Sequence, residues 1–391
     1  ITDSIGRKIK YTFDGEFLVA VEAPNGGIER YEYDAKGYIR EITNAEGITY
    51  VHNDYDAEGR ITRQVLSTGQ EYICLYDDSC RTNTVLTPQN GKEIRYVYNK
   101  DNLMIKTIYQ DGTEEEVGYD ECQNIIWRKD RRGAELHRVY DIKGRLLEER
   151  LPNGLVSTFC YDENGNLTEH RDNSGWLRQC FYDSHGNMVE ERIRIDQTKD
   201  LVRKFEYDSH GRIIAIISPS GDKTCYRYEA GWNKPAEYTP PEGETFKYSF
   251  DGAGRRMTIS SALGTVRLGY NNMDFLCLCV DSMGNTQKYV YDLVFNLKKV
   301  VLPNNFNPKG AELGTEYDYD PFHNLIRSID ELGHVLATPR DGEGNIVKEI
   351  NPNTYDPATQ DGEGIVNIYD PDDRKVKIVY PSGEVERIKY D

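Results

Sequence analysis

Few residues of this chain have the types and spacing that catalysis or metal binding requires. Cys277 and Cys279 are the most closely spaced of its eight cysteines, but no second pair stands at zinc-finger spacing. Asp111-Gly112-Thr113 has the sequence of an aspartic-protease element, yet it falls where a reverse turn belongs, and we predict a turn. No phosphate-binding loop, nucleophile elbow or His-Glu-x-x-His helix is present.

The histidines and the acidic segments are equally weak candidates for a metal site. His185 and His210 hold the same turn position in neighbouring repeats, but equivalent positions two strands apart are roughly 10 Å from each other, too far for one metal ion. Segments 341–344 and 361–364 alternate acidic residues with glycine but lack the ligand spacing of an EF-hand loop. We therefore predict that the chain is not an enzyme and has no catalytic residue, cofactor or metal.

A tyrosine followed by aspartate recurs along the whole chain. Most successive copies of this anchor lie 20 to 22 residues apart. A fixed period of this size indicates a repeat architecture, which must position every residue named above. The anchors are Phe13, Tyr33, Tyr55, Tyr76, Tyr98, Tyr119, Tyr140, Tyr161, Tyr182, Tyr207, Tyr228, Phe250, Tyr270, Tyr291, Tyr319, Arg340, Tyr369 and Tyr390.

Each repeat has the pattern of one β-hairpin. In residues 93–98, polar residues alternate with β-branched and aromatic ones, so that Tyr96 and Tyr98 share a face. Asp then opens a turn and Gly three residues later takes a positive φ, as in residues 56–59. A second strand follows, and a return turn such as Pro152-Asn153-Gly154 leads to the next repeat. No helical period appears, so we predict an all-β chain.

The number of hairpins predicts a large curled sheet. About seventeen hairpins give about 34 strands, or a contour of roughly 160 Å at ~4.8 Å per strand. Because strand twist accumulates, such a sheet must curl into a closed wall or a spiral ribbon. Closure in a single turn would give a diameter of roughly 50 Å. We predict one array over residues 1–391, truncated within a repeat at both ends, that forms a hollow shell or part of one.

The composition excludes several classes of partner. The net charge is −18, and no Lys/Arg cluster stands out against that background, which argues against binding to nucleic acid or to anionic membranes. No run of about 18 apolar residues exists, so no transmembrane helix is predicted. The cysteines keep no constant position relative to the anchors, and we expect free, mostly packed thiols.

Three intervals between anchors are longer than the others. They lie between residues 182 and 207, 291 and 319, and 340 and 369, and in each the extra residues fall at the return turn. In a regular sheet these loops would project from one edge. Insertions on one edge either mark a contact surface or are tolerated surface loops, and the sequence leaves both interpretations open.

The repeated motif, seen at Tyr161-Asp162-Glu163-Asn164-Gly165-Asn166-Leu167, resembles that of the YD-repeat or Rhs-repeat proteins over essentially the whole chain. This family includes bacterial polymorphic toxins, the C component of Tc toxins and the teneurins. The resemblance implies a spiral antiparallel sheet that forms a cocoon, a secreted or cell-surface location after synthesis in the cytoplasm, and a C-terminal toxin or cargo domain as partner. Secretion machinery is a further partner that it suggests.

The sequence departs from the family pattern at several positions. Gln123, Phe295 and His323 replace the turn glycine and Arg340 replaces the anchor, which puts those turn geometries in doubt. The places to look for chemistry are Arg340, Phe295 and the three long loops. The Asp-Pro dipeptides at 320, 356 and 370 lack the glycine of the family's autoproteolytic element, so no catalytic residue is carried over.

Two functions of different classes remain open. The first is a structural shell that encloses a C-terminal cargo. The second is an adhesion module that binds glycans or protein, since a ladder of tyrosine rings on a sheet can stack on sugars. The alternative role of the tyrosines is cross-strand packing, with the hydroxyl at the wet surface.

Overall fold

The computed structural model describes residues 1–194, 199–231 and 233–390. In these residues it contains 35 β-strands and one 3₁₀ turn at Pro303–Asn305. No described helix is long and apolar enough to cross a membrane. The all-β prediction is confirmed.

The first eighteen strands are β1 (Lys10–Asp14), β2 (Phe17–Glu22), β3 (Ile28–Tyr33), β4 (Ile39–Thr43), β5 (Thr49–Tyr55), β6 (Ile61–Leu66), β7 (Glu71–Asp77), β8 (Thr82–Thr87), β9 (Lys92–Tyr98), β10 (Met104–Tyr109), β11 (Glu114–Tyr119), β12 (Ile125–Lys129), β13 (Glu135–Tyr140), β14 (Leu146–Arg150), β15 (Val156–Tyr161), β16 (Leu167–Asp172), β17 (Leu177–Tyr182) and β18 (Met188–Arg194). The others are β19 (Asp200–Tyr207), β20 (Ile213–Ile217), β21 (Lys223–Tyr228), β22 (Pro235–Thr239), β23 (Phe246–Phe250), β24 (Arg256–Ser261), β25 (Gly264–Tyr270), β26 (Leu276–Val280), β27 (Thr286–Tyr291), β28 (Leu297–Val301), β29 (Thr315–Tyr319), β30 (Leu325–Ile329), β31 (Val335–Ala337), β32 (Lys348–Ile350), β33 (Gly364–Tyr369), β34 (Lys375–Val379) and β35 (Val385–Arg387).

The strands form one antiparallel meander. Each strand pairs with the strands before and after it in the chain, from β1 and β2 at one end to β34 and β35 at the other. Odd-numbered strands end at an anchor and an Asp-x-x-Gly turn, and even-numbered strands end at a return turn. The two kinds of turn therefore lie on opposite edges of the sheet.

The motif folds as the turn chemistry dictates. Asp162 accepts hydrogen bonds through Oδ1 from the amide of Asn166 at 2.8 Å, and through Oδ2 from its side-chain amide at 2.9 Å. Gly165 has a φ of 93°, and the strand register shifts between Cys160 and Tyr161. Positive φ is the conformation that glycine adopts without steric cost, so Gly completes the bulged turn that Asp opens.

Most anchor hydroxyls join their repeat to the one before it. Tyr161 donates a hydrogen bond of 2.9 Å to the carbonyl of Leu146, the first residue after the preceding turn. Twelve further anchors donate to the equivalent carbonyl, namely Tyr33, Tyr55, Tyr76, Tyr119, Tyr182, Tyr207, Tyr228, Tyr270, Tyr291, Tyr319, Tyr369 and Tyr390.

An arginine after the turn glycine adds a second link between repeats. Arg145 bonds Asp141 of its own turn through Nε at 2.7 Å, and its guanidinium lies 4.9 Å from the ring centroid of Tyr161 in the next repeat. Arg60, Arg212, Arg255 and Arg374 cover the following anchor ring in the same way. Stacked cations of this kind contribute roughly 0.5–1 kcal/mol at exposed sites.

Arg340, which replaces an anchor, keeps the anchor's contact. Its Nε donates to the carbonyl of Leu325 at 3.3 Å, 15 residues earlier, and a terminal nitrogen donates to the carbonyl of Gly344 at 2.6 Å. Arg340 therefore preserves the link between repeats that an anchor tyrosine makes elsewhere.

The sheet curls into a spiral whose successive turns touch. Asn25 follows β2 and donates to the carbonyl of Leu293, which follows β27, 25 strands later. Twenty-five strands at ~4.8 Å give a contour of about 120 Å and, for a circular turn, a diameter of about 40 Å. Of the two predicted forms, a closed wall and a spiral ribbon, the structure is the spiral ribbon, because the sheet overlaps itself before its end.

The spiral is hollow over the part of the chain that the structure describes. Strands contact only their neighbours in sequence, apart from the overlap of turns, and no described element crosses the interior. The accessible surface is 23950 Å² for a mass of 45.0 kDa. A compact monomer of that mass exposes about 16,000 Å², so this chain leaves an inner as well as an outer surface exposed.

We expect Tyr161→Phe to lower the free energy of unfolding by about 1 kcal/mol, because the carbonyl of Leu146 loses its partner. Guanidinium denaturation followed by circular dichroism measures the change. The control is Tyr380→Phe, whose hydroxyl bonds Glu386 in an exposed position and should change stability by less than about 0.5 kcal/mol. Equal effects of the two changes would contradict the role assigned to the anchors.

The turn aspartates predict acid sensitivity. The side chain and amide of Arg212 donate to Asp208 and hold its pKa at about 2, below the ordinary 3.8. A carboxyl with a lowered folded pKa stabilises the fold above pH ~4, and this stability is lost as pH falls toward 2. Asp208→Asn should lower the melting temperature at pH 6, and the difference should vanish near pH 2. A difference that stays constant down to pH 2 would contradict this.

Candidate functional site

The aspartic-protease-like segment is a return turn, as predicted. Gly112 has a φ of 79°, and Oδ1 of Asp111 accepts from the amide of Thr113 at 2.9 Å and from its hydroxyl at 2.6 Å. Oδ2 of Asp111 accepts from Arg131 at 2.7 Å. A carboxylate held by three donors caps the turn and is not placed to activate water.

The histidines and acidic segments also lie in turns. His185 and His210 are exposed at turn tips, where their amides donate to Asp183 and Asp208. In segment 341–344 the aspartate caps its turn, and in segment 361–364 it pairs with a lysine. Within the described ranges, no three His, Cys, Asp or Glu side chains are grouped so as to hold a metal ion.

The eight cysteines are free thiols. Cys180 is buried, Cys74, Cys225, Cys277 and Cys279 are half-buried, and the remaining three are exposed. The exposed ones are Cys80, Cys122 and Cys160.

Two of the three long loops lie at the return-turn edge, as predicted. They join β28 to β29 and β32 to β33, whereas residues 195–198 of the first loop fall outside the described residues. In the last loop, Tyr355 packs against the buried cluster of Val335, Ala337 and Ile350, and its hydroxyl accepts from Arg327 at 3.2 Å. This loop covers its own sheet.

The main contact that the sequence missed is the overlap of the spiral turns, which we call the seam. At the seam, return turns of the first spiral turn, within residues 23–134, meet Asp-x-x-Gly turns of the second spiral turn, within residues 271–373. The N-terminal reverse turn at residues 3–7 also belongs to the seam. Three ion pairs cross it, Arg7–Asp274 at 2.6 Å, Lys92–Asp373 at 2.6 Å and Arg131–Asp372 at 2.8 Å. All three cations lie on the first turn and all three carboxylates on the second. The hydrogen bond from Arg7 lowers the pKa of Asp274.

The seam explains most departures from the turn glycine. In the five Asp-x-x-Gly turns between residues 271 and 374, only Gly344 is kept, while Asp274, Phe295, His323 and Asp373 have φ between 61° and 75°. A side chain in this left-handed region costs roughly 1–2 kcal/mol. All four contact the seam, through the ion pairs above or by lining a cavity between the turns. A run of such departures in consecutive repeats was the signal in the sequence.

The residues that replace the turn glycine do not change the geometry of their turns, contrary to the doubt raised by the sequence. Gln123, Phe295 and His323 have φ of 66°, 75° and 66°, close to those of the glycines they replace. The turns are preserved, and only their side chains differ.

A cavity of about 360 Å³ opens at the seam. Among the described residues that line it, Glu29 on the first spiral turn is the only carboxylate, and the aromatic rings of Tyr50, Phe295 and Phe322 form part of its wall. Tyr50 and Phe322 meet edge to face across the seam, with ring centroids 6.2 Å apart. The remaining lining residues are Val21, Ala23, Gly27, Asn44, Ala45, Leu293, Val294, Pro321 and His323.

The carboxylate in this cavity is held by two phenols. Tyr31 and Tyr50 donate to its two oxygens at 2.7 and 2.8 Å. Burial and the hydrogen bond to Glu29 raise the pKa of Tyr50 to about 12, and the same causes raise that of Tyr31 further. Both phenols therefore remain neutral donors at physiological pH.

Comparison with known proteins supports the resemblance. The family model described as RHS Repeat matches residues 140–175 and 161–194. No curated protein matches the chain. The resemblance to the Rhs repeat is thus confirmed over residues 140–194, in the centre of the array.

Solved structures show the same fold. The chain matches the crystal structure of TcdB2-TccC3 without its hypervariable C-terminal region at 14% identity and a TM-score of 0.71, covering 96% of this chain and 23% of that one. It matches the TcdB2-TccC3 crystal structure at 15% identity and a TM-score of 0.56, covering 95% and 22%. The chain spans less than a quarter of these proteins and shares their shell fold.

We expect Lys92 and Asp373 to be coupled by about 1 kcal/mol, because their side chains are only 18% and 32% exposed. A double-mutant cycle with Lys92→Met and Asp373→Asn, measured by guanidinium denaturation, gives this value. The control is the pair Lys223–Glu206, which lies within one spiral turn at 3.0 Å and is about half exposed. Its coupling should be smaller, and the reverse order would contradict a stabilising role for the seam.

Proposed function

We propose that this chain is a segment of the wall of a bacterial shell protein that encloses and carries a C-terminal toxin or other cargo domain of the same polypeptide. The observation that carries the proposal is the hollow spiral, in which no described element occupies the interior. A wall of paired strands also leaves few free edges that could aggregate. We take residues 1–391 as one array and the parent protein as secreted or delivered to another cell.

The comparisons support this function without defining the cargo. One similar structure is described as lacking a hypervariable C-terminal region, which shows that TcdB2-TccC3 has such a region. The Rhs relatives named on sequence grounds include proteins that enclose a toxin at this position. For the present chain, the same arrangement is our proposal.

The size of the spiral limits what could lie inside it. Subtracting one sheet layer of about 10 Å from a diameter of about 40 Å leaves a bore of about 30 Å. A compact domain of about 100 residues has a radius of gyration of about 13 Å and a diameter of about 34 Å. Cargo inside this segment would therefore be a smaller domain or a chain that is not compactly folded.

The alternative function, adhesion to glycans through the tyrosine ladder, has less support. Thirteen anchor hydroxyls are occupied by carbonyls of the preceding repeat, as described above, and five anchor rings carry an arginine. The ring face that a guanidinium covers is not available to a sugar. A glycan array with the purified chain tests this, and saturable binding abolished by Tyr161→Ala but not by Tyr380→Ala would favour adhesion.

The gene beyond the codon for Asp391 tests the enclosure proposal most directly. We expect it to encode an autoproteolytic Asp-Pro-x-Gly element followed by a further domain. A stop codon or a wall anchor at that point would contradict the proposal.

Limited proteolysis of the full-length protein tests enclosure itself. We expect the C-terminal domain to resist protease in the wild type and to be cleaved faster in Lys92→Glu/Arg131→Glu, because two seam pairs would become repulsive. The control, Lys10→Glu, changes an exposed lysine on the first strand and should leave protection intact. Equal cleavage of the C-terminal domain in wild type and seam variant would contradict enclosure.

A further inference from the structure

We propose that the seam cavity binds a small organic cation with an apolar body, whose protonated amine lies against Glu29. Phe295 and His323 lie in two consecutive repeats of the second spiral turn. Both have the left-handed backbone conformation, and both line this cavity. Backbone strain of this kind clusters at binding and catalytic sites, because the surrounding structure must sustain it. The inference does not depend on what the shell encloses.

The carboxylate of Glu29 is prepared for a cation. Its two oxygens each accept one phenolic hydrogen bond, and an ionised carboxylate has about four acceptor positions, so two remain for an ammonium group. The phenols also fix the carboxylate in one orientation. In the part of the chain that the structure describes, no other acidic residue and no lysine or arginine lines the cavity.

The rest of the wall fits the apolar part of such a ligand. Three aromatic rings come from both sides of the seam, Tyr50 from the first turn and Phe295 and Phe322 from the second. Aromatic faces attract cations as well as apolar groups, with a contribution of about 2 kcal/mol where water is excluded. A volume of about 360 Å³ lies at the lower end of the range for small-molecule sites. Charge and shape therefore select an alkyl- or arylalkylammonium ion.

A ligand here would join the two spiral turns. Glu29 and Tyr50 belong to the first turn, whereas Phe295, Phe322 and His323 belong to the second. Binding that requires the closed seam stabilises it by mass action. Ligand binding should therefore raise the melting temperature of the chain, in addition to producing a binding signal.

The probe for the test is 2-phenylethylammonium, with the neutral 2-phenylethanol as its isostere. Isothermal titration calorimetry at pH 7 should show saturable binding of the ammonium ion and binding of the alcohol at least about tenfold weaker, which corresponds to 1.4 kcal/mol. Glu29→Gln should weaken the ammonium by about the same factor and leave the alcohol unchanged. Phe322→Leu should weaken both.

The matched control is Glu115→Gln. Glu115 stands four residues before its anchor Tyr119, as Glu29 does before Tyr33, and it hydrogen bonds Tyr109, but it lies outside the cavity. This variant should bind the ammonium ion like the wild type. Circular dichroism of each variant verifies that the sheet is intact.

Three outcomes would overturn the proposal. They are the absence of saturable binding by the ammonium ion, equal affinity for ammonium and alcohol, and a folded Glu29→Gln variant that binds as tightly as wild type. An equal loss of binding in Glu115→Gln would also overturn it, because the effect would then not come from the cavity.

Discussion

The hydrogen bond that thirteen anchor tyrosines donate to a carbonyl one repeat earlier is the interaction on which the rest of the structure depends. A single hairpin has no partner layer against which to bury a face, and few apolar side chains of the described residues are fully buried. Cohesion must then come from backbone ladders and from side chains that reach the next repeat. The tyrosine does this with its hydroxyl, and the arginine that follows the turn glycine does it by covering the next ring.

Curvature follows from this repeat-to-repeat attachment. Each hairpin is rotated slightly relative to the last, and the rotations add because every attachment is alike. After 25 strands the return turns meet Asp-x-x-Gly turns, and the edges interlock through ion pairs whose cations lie on one side and carboxylates on the other. The seam converts a ribbon with open edges into a wall, which is the physical requirement for enclosing anything.

The seam is also where the repeat departs from its own rule. In four of the five turns between residues 271 and 374, a residue other than glycine accepts the steric cost of the left-handed conformation, and its side chain contacts the seam. Arg340 shows the converse case, since it departs from the motif in sequence yet makes the anchor's hydrogen bond to Leu325. A departure from a repeat therefore indicates function only when the structure shows what the new side chain contacts.

The sequence alone determined the all-β class, the hairpin repeat, the two turn types and the edge on which the long loops lie, because all of these are set by residues within one period. It also determined the roles of Asp162 and Gly165, which act within four residues of each other. It did not determine the circumference, the seam pairs or the cavity around Glu29. Those depend on a small rotation summed over 25 strands, and they join residues such as Lys92 and Asp373, 281 positions apart. No local sequence pattern specifies the rotation accumulated over 25 strands, so only the tertiary structure could show which side chains meet.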